Sequence, residues 1–465
     1  MTHYLAELVA PLDALLLKGD GDPETRAIMS AALVLDGTPD LSVLAQTFER
    51  ASRSVPRMRQ RVTSGGWARN RQSWVPDEAF DAADHIRQVG APGDASLGAV
   101  LELASSAATA PFDPAKPLWD ATVVTGVEGG QTVLVLRVHH AIADGVRALH
   151  MMANLLDLEP DPAREELAAL EQRGSRIRIA GERWVRTTSQ VLATRQRRTD
   201  SVVRFMVDAS WRPAGAVSRA SRYARSVIRT YGSGGAQGSP LLRSRSRARR
   251  FATIEMPLDQ VRTVGADHGA TVNDVFIAGL IGGLRTYQRT LGEEAVDLPV
   301  AFPINIAADE SAESGNYFSA GVIPGPCSVD DPFQRLTAVH DLVAARRDEP
   351  GVDAPLRLAP LLHQVPPRLA TTALNAYAAR VDLQASNIIG PDCAVYLAGA
   401  HVSRFYAFGP LPGIPVMVVL VSYEGVCTLG FTIDPAAVSD RALLLSSVVD
   451  ALVELGVADA VLSGG

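Results

Sequence analysis

Short apolar runs rich in β-branched residues punctuate this chain, and segments of helical period separate them. Val133–Val138 is one such run and reads as a buried strand. After it, apolar residues recur at Val146, Leu149, Met152 and Leu155, a spacing that places them on one face of a helix. Near the other end, Val416–Tyr423 and Thr428–Ile433 read as adjacent strands joined around Glu424-Gly425. Thr271–Gln288 reads as an apolar helix. Mixed strands and helices on both sides of a helical, polar middle predict an α/β (α+β) fold in two halves. Asp157-Leu158-Glu159-Pro160-Asp161-Pro162 interrupts helical continuation and marks a boundary. The expected division is 1–158, a connector over 159–250, and 251–465. Within the connector, residues 163 to about 231 read as helical, and the Gly/Ser-rich stretch Gly232–Ser246 reads as a mobile loop. No internal repeat is visible.

Composition narrows the class. A chain of 465 residues exceeds one ordinary core, so two domains are expected. Hydrophobic residues are 47% and charged residues 20%, the balance of a globular protein. Cys327, Cys393 and Cys427 are isolated and form neither a disulfide framework nor a zinc pattern, which fits a reducing compartment. The first residues carry acids and no cationic segment before an apolar core, unlike a secretory signal. Apolar runs such as Val275–Leu284 and Ile414–Val421 are far too short to span a bilayer. A cytoplasmic protein is therefore expected.

The net charge is −7, yet Arg173–Arg250 is strongly basic, its acids being Glu182, Asp200 and Asp208. The plainest reading is a solvated helical connector. No nucleic-acid motif accompanies the arginines. Attraction to an anionic lipid surface is a further reading, with Trp184, Phe205, Met206 and Trp211 as apolar groups among the charges.

The densest chemistry stands between the strand at 133–138 and the helix that follows. His139 and His140 end the strand, and Asp144-Gly145 begins the helix, with Asp144 a suitable N-cap. Side chains at such a junction can face a cleft while regular structure fixes their backbone. Three readings stand on the residues alone: a hydrogen-bonded structural histidine, a catalytic base, or a metal ligand. Adjacent residues of a strand point to opposite faces, and no i, i+4 histidine or cysteine pair is near, which disfavours a metal.

HHAIADG resembles the HHxxxDG signature of CoA-dependent acyltransferases. More of the chain resembles one branch, the bacterial wax ester synthase/diacylglycerol acyltransferase family. The matching segments run in order: Pro11-Leu12-Asp13-Ala14; Arg57–Arg61; Trp74-Val75 with Phe80-Asp81 and His85; Pro117-Leu118-Trp119. The second half follows with Thr271–Asp274, Gly315-Asn316, Ser386–Pro391 and Ser422–Gly425. The sequence departs from the family at Ile388-Ile389, where Val-Pro is usual, and at Arg137, a site more often smaller or Lys.

The resemblance implies two chloramphenicol-acetyltransferase-like halves with the active-site channel between them. It implies transfer of a long-chain acyl group from acyl-CoA, a co-substrate, to diacylglycerol or a long-chain alcohol. No cofactor and no metal are implied. His140 is then the general base, since imidazole with its ordinary pKa of about 6.5 is largely neutral near pH 7. His139 supports it, Asp144 fixes the loop through an arginine, and Gly145 keeps the turn unstrained or the channel open. Asn273 is the main oxyanion candidate, although capping the following helix is its other reading. Asp274 is expected to hold the interface between halves. Ser386, Asn387, Ser422 and Tyr423 are candidates for the channel wall, and Pro117, Leu118 and Trp119 for the acyl side or a packed turn.

Partners are expected to be acyl-CoA and a lipid alcohol or diacylglycerol, with peripheral contact to a membrane or lipid droplet. Two rivals remain: a polyketide-associated or condensation-type acyltransferase fed by a carrier protein, and a non-catalytic lipid-binding paralogue. Acceptor, chain length and oligomeric state are not legible.

Overall fold

The structure is a computed structural model. It describes residues 7–64, 72–143, 145–160, 221–223, 225–230, 232, 235–305, 318–354, 372, 375, 376 and 378–463. Asp144, Gly315-Asn316 and residues 163–220 of the connector expected to be helical, with Trp184, Phe205, Met206 and Trp211, lie outside the described residues.

The first half runs β1 (Glu7–Leu8), α1 (Pro11–Gly19), β2 (Ile28–Asp36), α2 (Leu41–Ser54), β3 (Gln60–Ser64), β4 (Gln72–Pro76), β5 (Ile86–Gly90), α3 (Leu97–Ala108), β6 (Trp119–Val127), β7 (Gln131–His139) and α4 (Gly145–Leu155). The second runs β8 (Arg250–Pro257), α5 (Leu258–Asp267), α6 (Val272–Thr290), β9 (Leu298–Asn305), β10 (Phe318–Gly325), α7 (Pro332–Arg347), β11 (Leu383–Ile389), β12 (Tyr396–Leu397), β13 (Ala400–Phe408), β14 (Val416–Tyr423), β15 (Val426–Ile433), α8 (Arg441–Glu454) and β16 (Val461–Ser463). The expected strand at 133–138, the strand pair around Glu424-Gly425 and the helix from Thr271 all form.

Among the described residues, two large sheets dominate, one ordered β12-β13-β2-β7-β6-β5 and the other β10-β9-β11-β14-β15-β8-β16. The division by sequence fails in one place. Residues 396–408 follow β11 along the chain, yet β12 and β13 belong to the first half's sheet, where β13 pairs antiparallel with β2. The second half thus lends strands to the first.

Several contacts seat this crossover strand. Tyr423 Oη donates to Val402 O at 2.8 Å and accepts from Val395 N at 3.0 Å. Thr428 Oγ1 donates to Phe405 O at 2.6 Å, and Thr432 Oγ1 to Gly409 O at 3.0 Å. Arg404 Nε reaches Glu255 Oε2 at 2.9 Å, and the Tyr406 hydroxyl donates to the same carboxylate. β15 approaches so closely that a Cβ at Gly430 would lie 2.0 Å from Ala407 O.

Side-chain alternation along β14 sorts the cores. Val416, Val418 and Leu420 pack with α5, α6, α7 and α8 on the outer face of the second sheet. Met417, Val419, Val421 and Tyr423 point the other way, into a cluster shared with Ala141, Ile142, Ala143, Met151 and Met152 of the first half. The halves are therefore joined by a common apolar core as well as by β13.

Two outcomes test this seam. Gly430→Ala should cost about 1–3 kcal/mol in a denaturant titration, because the methyl group meets backbone; unchanged stability would refute so close an approach. Burial disfavours the charged form of Glu255, but the hydrogen bonds from Tyr406 and Arg404 outweigh it and hold the carboxyl below its usual range. A depressed carboxyl stabilises the fold above its unfolded pKa and stops doing so as pH falls through its folded pKa. Glu255→Gln should thus destabilise near neutral pH, and the difference from wild type should shrink in acid; a pH-independent difference would count against this linkage.

Candidate active site

The two adjacent histidines occupy different environments. β7 carries them to its end beside β2, where Ile28 pairs with His139. His139 is fully buried, and its two ring nitrogens are both engaged. Nδ1 accepts the Ala141 N–H at 3.0 Å, so the ring proton sits on Nε2 and donates to Asp20 Oδ1 at 3.0 Å. This ring has no nitrogen left for a substrate.

His140 is half-buried, and its backbone is fixed by the N–H bond to Ala27 O at 2.8 Å. On either side, His139 N–H donates to Leu118 O at 3.0 Å and Ile142 N–H to His139 O at 2.9 Å. Four hydrogen bonds from successive residues thus pin the backbone of the turn. Asp20 is the C-cap of α1, and Asp13 of the same helix is buried 3.6 Å from Arg147 in the first turns of α4. One helix therefore grips the histidine segment before and after its turn. Gly145 opens α4.

Arg137 is accommodated on the sheet face away from the shared core. It pairs with Asp120 through Nε at 2.9 Å, donates to Ala107 O and Ala110 O at the end of α3, and lies over the Phe112 ring. The departure from the family pattern thus costs no unpaired charge.

The remaining candidates separate by register. Gln384 pairs with Met417 and Ala301, Ser386 with Val419, and Ile388 with Val421. Strand partners share a face, so Ser386 lies on the side that meets the histidine segment. Asn387 pairs with Leu420 and Ser422 with Cys427, which puts both on the outer face. They do not line a passage between the halves, a correction that pairing parity dictates. Tyr423 lies on the inner face, but its hydroxyl is committed to Val402 and Val395, and burial pushes its pKa up to about 12.

Asn273 and Asp274 also need correction. α6 packs on the outer face, away from the histidines, so Asn273 has no geometric support as an oxyanion donor; its amide nitrogen is buried with no hydrogen-bond partner. Asp274 does not join the halves. It closes a capping box with Thr271 and accepts from His340 Nδ1 at 2.9 Å, both within the second half. Trp119 is 1% exposed, stacks 5.1 Å from Phe48 and 4.5 Å from His85, and donates Nε1–H to Met58 O. It is a packed residue and lines no channel; Pro117 and Leu118 are buried beside it, and Leu118 serves His139 through its carbonyl.

Sequence reasoning missed Gln384, which stands two residues before Ser386 on the inner face. It is half-buried, and neither its side chain nor that of Ser386 has a hydrogen-bond partner among the described residues. The strict period of two along β11 was the available signal. The Gly232–Ser246 stretch was also misread: its described part is tied down, with Ser239 N–H donating to Asp382 at 2.8 Å and Ser246 to Asp434 at 2.7 and 2.6 Å. It borders a cavity of about 680 Å³ with Glu24, Arg243, Arg245, Arg380 and Asp382 on its walls. All three cysteines are free, Cys327 and Cys427 being buried. Among the described residues, no helix is long and apolar enough to cross a membrane, and no three His, Cys, Asp or Glu side chains group to hold a metal ion.

The family model for the wax ester synthase/diacylglycerol acyltransferase catalytic domain matches residues 9–276, and the model for that family's C-terminal domain matches residues 314–456. The chain belongs to this acyltransferase family. A Mycobacterium tuberculosis protein that carries the provisional name diacylglycerol O-acyltransferase is 35% identical over 454 residues, covering 94% of this chain and 89% of its own. A second such protein of that organism is 29% identical and covers 86% of each chain. Among solved structures, the wax ester synthase/diacylglycerol acyltransferase of Marinobacter aquaeolei VT8 matches 97% of this chain and 99% of its own at TM-score 0.64 and 20% identity. The first condensation domain of the calcium-dependent antibiotic synthetase matches 97% and 96% at TM-score 0.56 and 16% identity. At such identities these structures show the fold, a two-domain mixed α/β architecture.

The grip of Asp20 on His139 has a measurable consequence for acyl transfer. Asp20→Ala should lower kcat by up to about 100-fold through displacement of the neighbouring imidazole, while Asp20→Asn, whose amide oxygen still accepts, should retain most of it. Equal losses in both variants would show that the hydrogen bond is not what matters.

Proposed function

We propose that this protein moves a long-chain acyl group from acyl-CoA to diacylglycerol or a long-chain alcohol, giving triacylglycerol or wax ester, with His140 as the general base. The observation that carries this reading is the division of labour between the histidines: both nitrogens of His139 are consumed, and the adjoining imidazole stands half-buried on a turn fixed by backbone bonds.

An alcohol is a weak nucleophile near neutral pH. His140 takes its proton as the oxygen attacks the thioester carbon, and the same imidazolium then protonates the departing CoA sulfur. Direct attack needs no covalent acyl-enzyme. Such acid–base catalysis contributes roughly 10²- to 10⁴-fold. The oxyanion of the tetrahedral intermediate needs a donor, and the Ser386 hydroxyl, on the inner face and without a partner among the described residues, is the group we assign; a preorganised donor is commonly worth about 3–4 kcal/mol. We place the enzyme in the cytoplasm, with peripheral contact to a membrane or lipid droplet where its acceptors reside.

Labelled palmitoyl-CoA with diacylglycerol or hexadecanol, followed by thin-layer separation, tests this directly. His140→Ala should lower turnover at least about 100-fold with the fold intact. Transfer only from an acylated carrier protein would replace the CoA reading, and a wild type inert towards every pair would indicate a lipid-binding protein. A variant at near-full rate would remove His140 from the base role.

A further inference from the structure

The cavity beside the connector stands at one end of the row of polar residues on β11. Asp382, Gln384 and Ser386 alternate onto the same face of the second sheet, and Asp382 and Pro299, neighbours through the Asp382 N–H bond to Pro299 O, both line the cavity. At about 3.3 Å per residue, the step from Asp382 to Ser386 covers roughly 13 Å. The cavity also touches Glu24, on the loop that joins Asp20, the partner of His139, to Ala27, which holds His140. It therefore borders the loop whose two ends bond to the histidine segment, and β11 runs inward from it.

Charge distinguishes the two ends. At the cavity, Arg243 and Arg380 are exposed and make no hydrogen bond or ion pair among the described residues. Arg245 is held in place by Nε–H to Gly413 O at 2.6 Å. Of the two acids there, Asp382 already accepts the Ser239 N–H and faces Arg245 and Arg243, and Glu24 faces Arg245 and Arg249. The mouth is thus cationic, with two guanidinium groups uncommitted. Further in, the amide of Gln384, among Ala301 and Met417, has donors and an acceptor and no partner among the described residues. A half-buried amide without a protein partner costs free energy unless water or a ligand completes it.

We propose that the cavity ringed by Arg243, Arg245 and Arg380 receives the phosphate groups of the CoA ester, and that Gln384 binds an amide of its pantetheine arm on the way to His140. This rests on the acyl-CoA reading above and adds to it where the donor lies. Phosphate suits guanidinium because two N–H groups can bond two oxygens at once. The arm carries amides that match Gln384, and its thioester end arrives where the wall becomes apolar.

The test compares palmitoyl-CoA with palmitoyl-pantetheine, which has the arm and no phosphates, and measures CoA binding by calorimetry without acceptor. Charge-assisted contacts of this kind are worth about 1.5–3 kcal/mol, or about ten- to a hundredfold in affinity. Arg380→Glu and Arg243→Glu should raise the KM for palmitoyl-CoA and the Kd for CoA by that factor, and leave the KM for palmitoyl-pantetheine unchanged. Gln384→Leu should raise KM for both donors. If the arginine variants bind CoA as the wild type does, or weaken both donors alike, the phosphate port is wrong even though transfer continues. If the wild type binds CoA through Arg380 but transfers no acyl group, the port stands and the acyltransferase reading falls. Binding of inorganic phosphate with equal affinity to CoA would reduce the cavity to a simple anion site and overturn the assignment of the donor.

Discussion

The seating of β13 in the first half's sheet is the contact on which the rest of the architecture depends. A strand that hydrogen-bonds to β2 on one side while its own side chains and carbonyls are held by β8, β14 and β15 cannot leave without breaking both halves. It fixes the second sheet so that the inner face of β14 meets the histidine segment. The apolar cluster shared by Met417, Val419 and Val421 with Ala141–Ala143 follows from that placement. A close approach of backbones is what permits it, and Gly430 is the position where a side chain would forbid it.

Within that frame, hydrogen-bond capacity separates two residues of the same type. An imidazole has two nitrogens, and a fully buried one must satisfy both. His139 does so with Ala141 and Asp20, which fixes its tautomer and removes it from chemistry. The turn that follows is held by backbone bonds to elements far apart in sequence, Leu118 and Ala27. His140 inherits a rigid backbone setting from these bonds. Helix α1 adds a second tie through Asp13 and Arg147, so the segment is anchored beyond the turn as well.

The inner face of the second sheet combines two environments. Apolar side chains of β14 pack into the core shared with the first half, and β11 interposes Gln384 and Ser386 as isolated polar groups. The cationic mouth stands at the end of that row nearest the connector. Because period-two alternation assigns every second residue to one face, one strand supplies polar groups to the inner face and apolar groups, Leu383 and Ala385, to the outer core.

Much of this was legible in the sequence. Local patterns are set by neighbours in the chain, so β7, β14, β15, α4 and α6 could be read from alternation and helical period, and the ordered motifs identified the family and the mixed α/β class. Other features rest on residues distant in sequence, and no local pattern encodes them. The exchange of β13 depends on pairing with a strand some 370 positions earlier. The direction in which Asn387, Ser422 and Asn273 point depends on which face of the sheet meets the other half, and Trp119 was drawn into the core by Phe48, His85 and Met58. That two imidazoles end a strand is written in the local sequence; that the first of them has both ring nitrogens consumed is a property of the folded chain, because the segment can donate to Asp20, Ala27 and Leu118 only once the chain has folded back on itself.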